Sequence, residues 1–193
     1  MNFYKEKSYQ RQHLRAPYVQ EVVFKDEGYV FKAQAANISV GGLMLNGVSH
    51  FPDNSSSLDF MLKIPSFPYF KSFDYQKLIS YSDDLLRSKV IKMKCEMVRK
   101  QSIKSHLDGV LASNVGLRIL EISALDKEII NDYVNIFSSN LIYLQTLIDG
   151  INNRPDKEKN IRELAEILGY DRALKIALLN KQVIQDYRSL QWL

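Results

Sequence analysis

Polar and apolar residues alternate through the front of the chain, and the period changes near Ser123. Leu58, Phe60, Leu62 and Ile64 alternate with Asp59, Met61 and Lys63, and Ile91, Met93, Cys95 and Met97 alternate with Lys92, Lys94 and Glu96. A period of two sets each apolar group on one side of a strand, which buries that face and wets the other. The pattern predicts six strands over residues 18–25, 29–38, 43–48, 58–64, 89–99 and 115–122. The first two are joined by Asp26-Glu27-Gly28, where glycine accepts the positive φ of a tight turn. Short, one-sided strands at this spacing predict a closed or nearly closed antiparallel barrel.

Beyond Ser123 the apolar residues recur at helical spacing. Ser123 followed by Asp126 marks a helix start, with the serine oxygen accepting a free backbone N–H and the carboxylate facing the positive helix end. Ile130, Val134, Phe137, Leu141, Leu144, Ile148 and Ile151 then repeat as the a and d positions of a heptad seam. Asn152, Asn153 and Pro155 stop this helix. Asp156 caps a second, which runs to Leu168 and ends at Gly169, and Asp171 caps a third towards Trp192. The expected fold is therefore mainly β plus α. A six-stranded antiparallel barrel with an N-terminal arm (1–123) precedes a helical extension (124–193), made of a long helix 124–152 and two helices within 156–192. The seam either drives self-association or is covered by the two short helices. A helix of about 30 residues projects well past so small a barrel, which favours a homo-oligomer or a partner protein on the seam. Between the fourth and fifth strands, residues 65–88 carry Phe67, Tyr69, Phe70, Phe73, Tyr75 and Tyr81, and predict a short helix and loop closed by aromatic packing.

Composition narrows the class. Of 193 residues, 46% are hydrophobic and 25% charged, which excludes wholesale disorder and fibrous repeats. Lys and Arg number 26 against 22 Asp and Glu, and an excess of +4 is too small to name nucleic acid or an anionic membrane as partner. No run approaches the 18 or so apolar residues of a bilayer span. A single cysteine, Cys95, on the apolar face of its strand, allows no internal disulfide and reads as a small hydrophobe. With the polar start MNFYKEKSYQ it predicts a cytoplasmic protein. His13, His50 and His106 show no metal-ligand spacing, and no catalytic signature occurs, so a binding protein without metal or cofactor is expected rather than an enzyme.

Two short motifs remain. Arg11 and Arg15 sit in Arg-Gln-His-Leu-Arg ahead of the first strand, and Asn37-Ile38-Ser39-Val40-Gly41-Gly42 links the second strand to the third. Taken alone, the first is a solvated arm, and the second is a turn whose glycines permit positive φ. Taken in order, they resemble the PilZ domain family, whose pattern is R-x-x-x-R followed by [D/N]-x-S-x-x-G. The resemblance extends over about residues 8–137, including Val115-Gly-Leu-Arg-Ile-Leu-Glu-Ile-Ser123 as a last strand. It implies a six-stranded barrel that binds cyclic di-GMP, a bacterial second messenger, and a role in motility, adhesion or biofilm control. It further implies that Arg11 and Arg15 clamp the ligand, since a planar guanidinium forks onto phosphate or onto guanine O6 and N7. Asn37 faces a guanine edge, Ser39 bonds ligand or loop, and Gly42 admits a close backbone approach. Gln10 and Gly41 flank these positions as further candidates. Many family members carry Asp where Asn37 stands, and a neutral amide offers one acceptor in place of two. Gln10 lacks the charge that favours stacking a second ligand molecule, and His13 reads as a solvent-facing arm residue.

Two other readings are carried beside this one. Residues 164–179 look superficially like a helix-turn-helix, which would imply DNA, but the second helix offers only Arg172, Lys175 and Lys181. The third reading is a degenerate PilZ scaffold that binds no nucleotide.

Overall fold

A computed structural model describes residues 12–26, 28–48, 57–81, 87–104, 111–151 and 155–191. Gln10, Arg11, His50, His106 and Trp192 lie outside the described residues.

The strands are β1 (Ala16–Pro17), β2 (Glu21–Asp26), β3 (Tyr29–Ser39), β4 (Gly42–Val48), β5 (Leu58–Pro65), β6 (Ser88–Lys104) and β7 (Leu111–Ile122). They run in the order β3-β2-β5-β6-β7-β4, and β4 returns to pair with β3, so six antiparallel strands close into a barrel. Strand β1 pairs outside this ring, on β3. Leu58, Phe60, Leu62 and Ile64 of β5 and Ile91, Met93 and Cys95 of β6 all face the core. Gly28 closes the β2–β3 turn at φ +88, a conformation that a residue with a Cβ adopts at a cost.

Of the expected first strand, 18–25, only the part from Glu21 is strand, and a separate two-residue strand precedes it at Ala16–Pro17. Ala16 and Pro17 pair with Ile38 and Asn37, and Glu21 to Asp26 pair with Gln34 to Tyr29. Between them the chain steps around a bulge in β3, with Tyr18 N–H bonding to Ala36 O at 3.0 Å and Ala35 N–H to Gln20 O at 2.9 Å. Alternation in a short sequence window carries no mark of such a one-residue slip.

Helix α2 (Ala124–Asp149) starts where Ser123 Oγ accepts Asp126 N–H at 3.0 Å. Helices α3 (Pro155–Ile167) and α4 (Ile176–Gln191) follow. Tyr133 of α2 packs edge-on against Tyr18 with ring centroids 5.8 Å apart, and its hydroxyl donates to Pro17 O at 2.6 Å. The 65–88 connection forms a short 3₁₀ turn (Phe70–Ser72) and α1 (Tyr75–Ile79), with Phe70, Phe73 and Tyr81 in mutual edge contacts. Asn140, on α2 and buried, accepts Phe70 N–H at 3.0 Å and donates to Pro68 O at 2.9 Å, which satisfies backbone groups that α2 would otherwise leave dry.

The heptad seam is covered from within the chain. Ile130, Val134, Phe137, Leu141, Leu144 and Ile148 are buried, with Ile151 packed beside them, in one core shared with Ile161, Leu164, Ala165, Leu179 and Val183 of α3 and α4. The expectation of self-association through this seam is therefore corrected. The two short helices fold back on α2, and a side chain already buried has no further apolar area to give a second copy.

The third helix also starts later than Asp171 predicts. Asp171 Oδ1 takes Ala173 N–H at 2.8 Å in a local turn, and Arg162 Nη1 reaches back to Arg172 O at 2.6 Å and Leu174 O at 2.9 Å. Those carbonyls are thereby occupied, and helix begins only at Ile176. Gly169 ends the preceding helix at φ +90, with Tyr170 N–H closing onto Ala165 O, the left-handed stop that the sequence predicts.

Candidate functional site

The bulge at Ala36 creates the site. On β3, Phe31, Ala33 and Ala35 pack into the core, a phase that would also send 37 and 39 inward. The register slip between Ala35 and Asn37 resets it, so Ile38 is the buried core residue and Asn37 and Ser39 share the outer face. That one residue takes both polar side chains off the core face, where Asn37 is half-buried and Ser39 is buried beside the arm.

The arm runs along this same stretch. Ala16 opposes Ile38 and Pro17 opposes Asn37, and extending that register by one residue sets Arg15 opposite Ser39. Arg15 itself is half-buried. His13 is exposed but seated on the turn: a Cβ built on Gly41 would lie 2.3 Å from its Cδ2. His13 is thus exposed, as expected of a solvent-facing arm residue, and its ring also rests against the glycine turn.

Ser39 and Gly42 are opposed across a two-residue turn, with Ser39 Oγ donating to Gly42 O at 3.1 Å. Neither Gly41 nor Gly42 takes the positive φ that the sequence reading allowed them. Their need is steric. A Cβ on Gly42 would fall 2.1 Å from Leu117 O, so glycine is what lets β7 lie against this turn, and Ile119 N–H bonds to Gly41 O at 3.1 Å on the same seam.

Asn37 Oδ1 is buried and has no hydrogen-bond partner among the described residues. An acceptor in that state costs about 1–3 kcal/mol, which marks a position needing an account. Arg15, Asn37, Ser39, Gly41 and Gly42 thus converge on one outer edge of the barrel, where β1, β3 and β4 meet.

Register adds two residues that sequence reasoning did not single out. Arg118 on β7 opposes Gly42, and Glu96 on β6 opposes Arg118, to which it is ion-paired. Their neighbours are cross-strand, and linear spacing holds no trace of them. Arg172, the first cation of the helix-turn-helix reading, is instead held by Glu163 at 2.6 Å and Glu166 at 3.0 Å. Among the described residues no helix is long and apolar enough to cross a membrane.

Solved structures similar to this chain include the inhibitor of motility MotI/DgrA of Bacillus subtilis, at 17% identity and a TM-score of 0.45 over 65% of this chain and 49% of that one. The chain thus spans about half the length of that protein. The PilZ domain of YcgR from Escherichia coli, solved with c-di-GMP, matches at 12% identity and a TM-score of 0.40, over 70% of this chain and 95% of that one. The MrkH–c-di-GMP complex of K. pneumonia matches at 13% identity and a TM-score of 0.39, over 75% and 56%. No curated protein matches. The family model described as "PilZ domain" matches residues 9–135, which span the arm, every barrel strand and the first half of α2. This chain belongs to the PilZ domain family.

Proposed function

We propose that the chain is a cytoplasmic receptor for cyclic di-GMP, a binding module and not an enzyme, whose output is the control of motility, adhesion or biofilm formation. The observation that carries this reading is the Asn37 oxygen, buried and without a partner among the described residues, which lies on the strand face that the arm borders and two residues from Ser39. A guanine presents N–H donors on its edge, and one of them would satisfy that acceptor. Arg15, and Arg11 by its place in the motif, supply charge-assisted donors for the phosphates. No metal or cofactor enters the reading.

Ligand binding alters output only if it favours one arrangement of the protein over another. The path from the site is short. Arg15 is two residues from Pro17, whose carbonyl accepts the Tyr133 hydroxyl of α2, so an arm drawn onto ligand pulls at the helix that α3 and α4 pack against. In this reading residues 1–123 receive the ligand and 124–193 carry the consequence.

Calorimetric titration of the full chain with cyclic di-GMP tests the proposal. Binding heat from the wild type is expected, weakened at least tenfold in Arg11→Ala and in Arg15→Ala. A silent wild type would favour the scaffold reading instead.

A further inference from the structure

Ladder register carries the candidate site beyond its motif residues, across β4 and onto β7 and β6. Ser39 opposes Gly42, Gly42 opposes Arg118, and Arg118 opposes Glu96. Directly opposed residues put their side chains on one face, so these four make a single row, in which the β7 backbone packs directly against Gly42. In the next row Asn37 opposes Met44, Met44 opposes Gly116, and Gly116 opposes Arg99, so the half-buried Met44 stands between Asn37 and Gly116. Adjacent strands lie about 4.8 Å apart, which sets Ser39 and Arg118 about 10 Å apart across β4. The result is one face of the closed sheet on which the motif residues and two arginines lie in adjacent rows. Asn37 and Ser39 stand on β3, with Arg118 on β7 and Arg99 on β6.

Arg118 is already partnered, and the manner of the pairing matters. Its Nε and Nη2 converge on one carboxylate oxygen, Glu96 Oε1, rather than forking onto two. The arginine side chain is 63% exposed and that of Glu96 25%. An exposed pair of this kind contributes little net stability, and a phosphate offers a guanidinium a better match than a single oxygen does.

We infer that Arg118 is a third arginine of the ligand site, held by Glu96 while the site is empty and transferred to a ligand phosphate when cyclic di-GMP binds. The inference rests on the cyclic di-GMP reading and adds to it both a donor outside the family motif and a competing carboxylate. Arg99, which donates to Gln101 Oε1 at 3.2 Å, stands beside it in the next row.

The test is a set of calorimetric titrations with cyclic di-GMP on the wild-type chain, Arg118→Ala, Glu96→Gln and the double variant, each with its Tm recorded. Arg118→Ala is expected to bind about tenfold more weakly, and Glu96→Gln about twofold to fivefold more tightly, because the competitor is gone. The double variant should bind like Arg118→Ala, since without the arginine there is nothing for the carboxylate to withhold. If Arg118→Ala lowers Tm by more than about 5 °C, Arg118→Gln replaces it and carries the same expectation. Weaker binding by Glu96→Gln would mean that the pair only shapes the strand, and would overturn the inference. So would wild-type affinity in Arg118→Ala while Arg15→Ala loses binding, a result that leaves the receptor reading intact. No binding by the wild type would overturn both.

Discussion

Adding one methyl group at Gly41 and at Gly42 should give opposite kinds of defect, although the two glycines are adjacent. At Gly42 the new Cβ would meet a backbone carbonyl, Leu117 O, at 2.1 Å, against about 3.4 Å for an ordinary contact. Removing that overlap moves β7 away from β4 by about 1.3 Å, the difference between those two distances. The displaced segment carries Ile119 N–H, which is bonded to Gly41 O at 3.1 Å, and it cannot keep that bond through such a shift. Overpacking of this sort costs about 1–3 kcal/mol. For a chain of this length about 2 kcal/mol lowers Tm by roughly 4–8 °C. At Gly41 the Cβ would meet the His13 ring at 2.3 Å, a side chain on the exposed arm that can swing aside. Gly41→Ala should therefore hold Tm within about 1 °C while displacing the arm and weakening ligand binding, and Gly41→Ala with His13→Gly should restore that affinity. Thermal unfolding followed by circular dichroism, with ligand titration on the same samples, reads both effects. Equal Tm losses at the two positions would refute the reasoning, because backbone and side-chain obstruction would then not differ.

Other sites give sharper single readouts. Asn140→Leu strips partners from Phe70 N–H and Pro68 O at once and should cost about 3 kcal/mol, measured as a lower urea midpoint at unchanged slope; a loss under 1 kcal/mol would mean that water replaces the amide. Leu141→Ala should cost about 2–5 kcal/mol and leave the mass by light scattering at that of one chain, since the seam is filled from within; a wild-type dimer that Leu141→Ala dissociates would contradict the intramolecular bundle. Burial pushes the Cys95 thiol up to about 12 from 9.0, and desolvation also raises Tyr18, Tyr133 and Tyr170 above the usual tyrosine range. All four hold their protons more tightly folded than unfolded, so their contribution is fully present below about pH 9 and is lost as pH rises towards 12. The urea midpoint should be flat with respect to these groups from pH 7 to 8 and fall from about pH 9 upward. Cys95 should also resist a thiol reagent at pH 8 until the chain unfolds.

What the sequence made legible follows from how local each cause is. Period-two alternation located β5 and β6 within a residue at their starts, because one-sided burial is written directly into successive residues. Ser123 and Gly169 fixed helix ends through bonds that span only a few residues. Causes that act between distant segments were not legible. The seam on α2 reads the same whether a second copy or α3 and α4 cover it, since both bury the same heptad face. The delayed start of α4 depends on Arg162, nine residues before Asp171, claiming carbonyls across a turn.

The candidate site shows the same division and explains why its motif has the spacing it does. Asn37 and Ser39 are two apart, as alternation requires for a shared face, yet unbroken alternation from Phe31 would have pointed both into the core. Only the extra residue at Ala36 turns the pair outward, and the arm follows by changing register between Glu21 and Pro17. The motif is thus readable as a string, while its geometry depends on a slip that alternation conceals. Arg118 and Glu96 sit one and two strands farther from the motif, where only the closure of the barrel brings them beside Gly42. A pattern written along β3 and β4 can name the near side of the site; the far side is a property of the closed sheet.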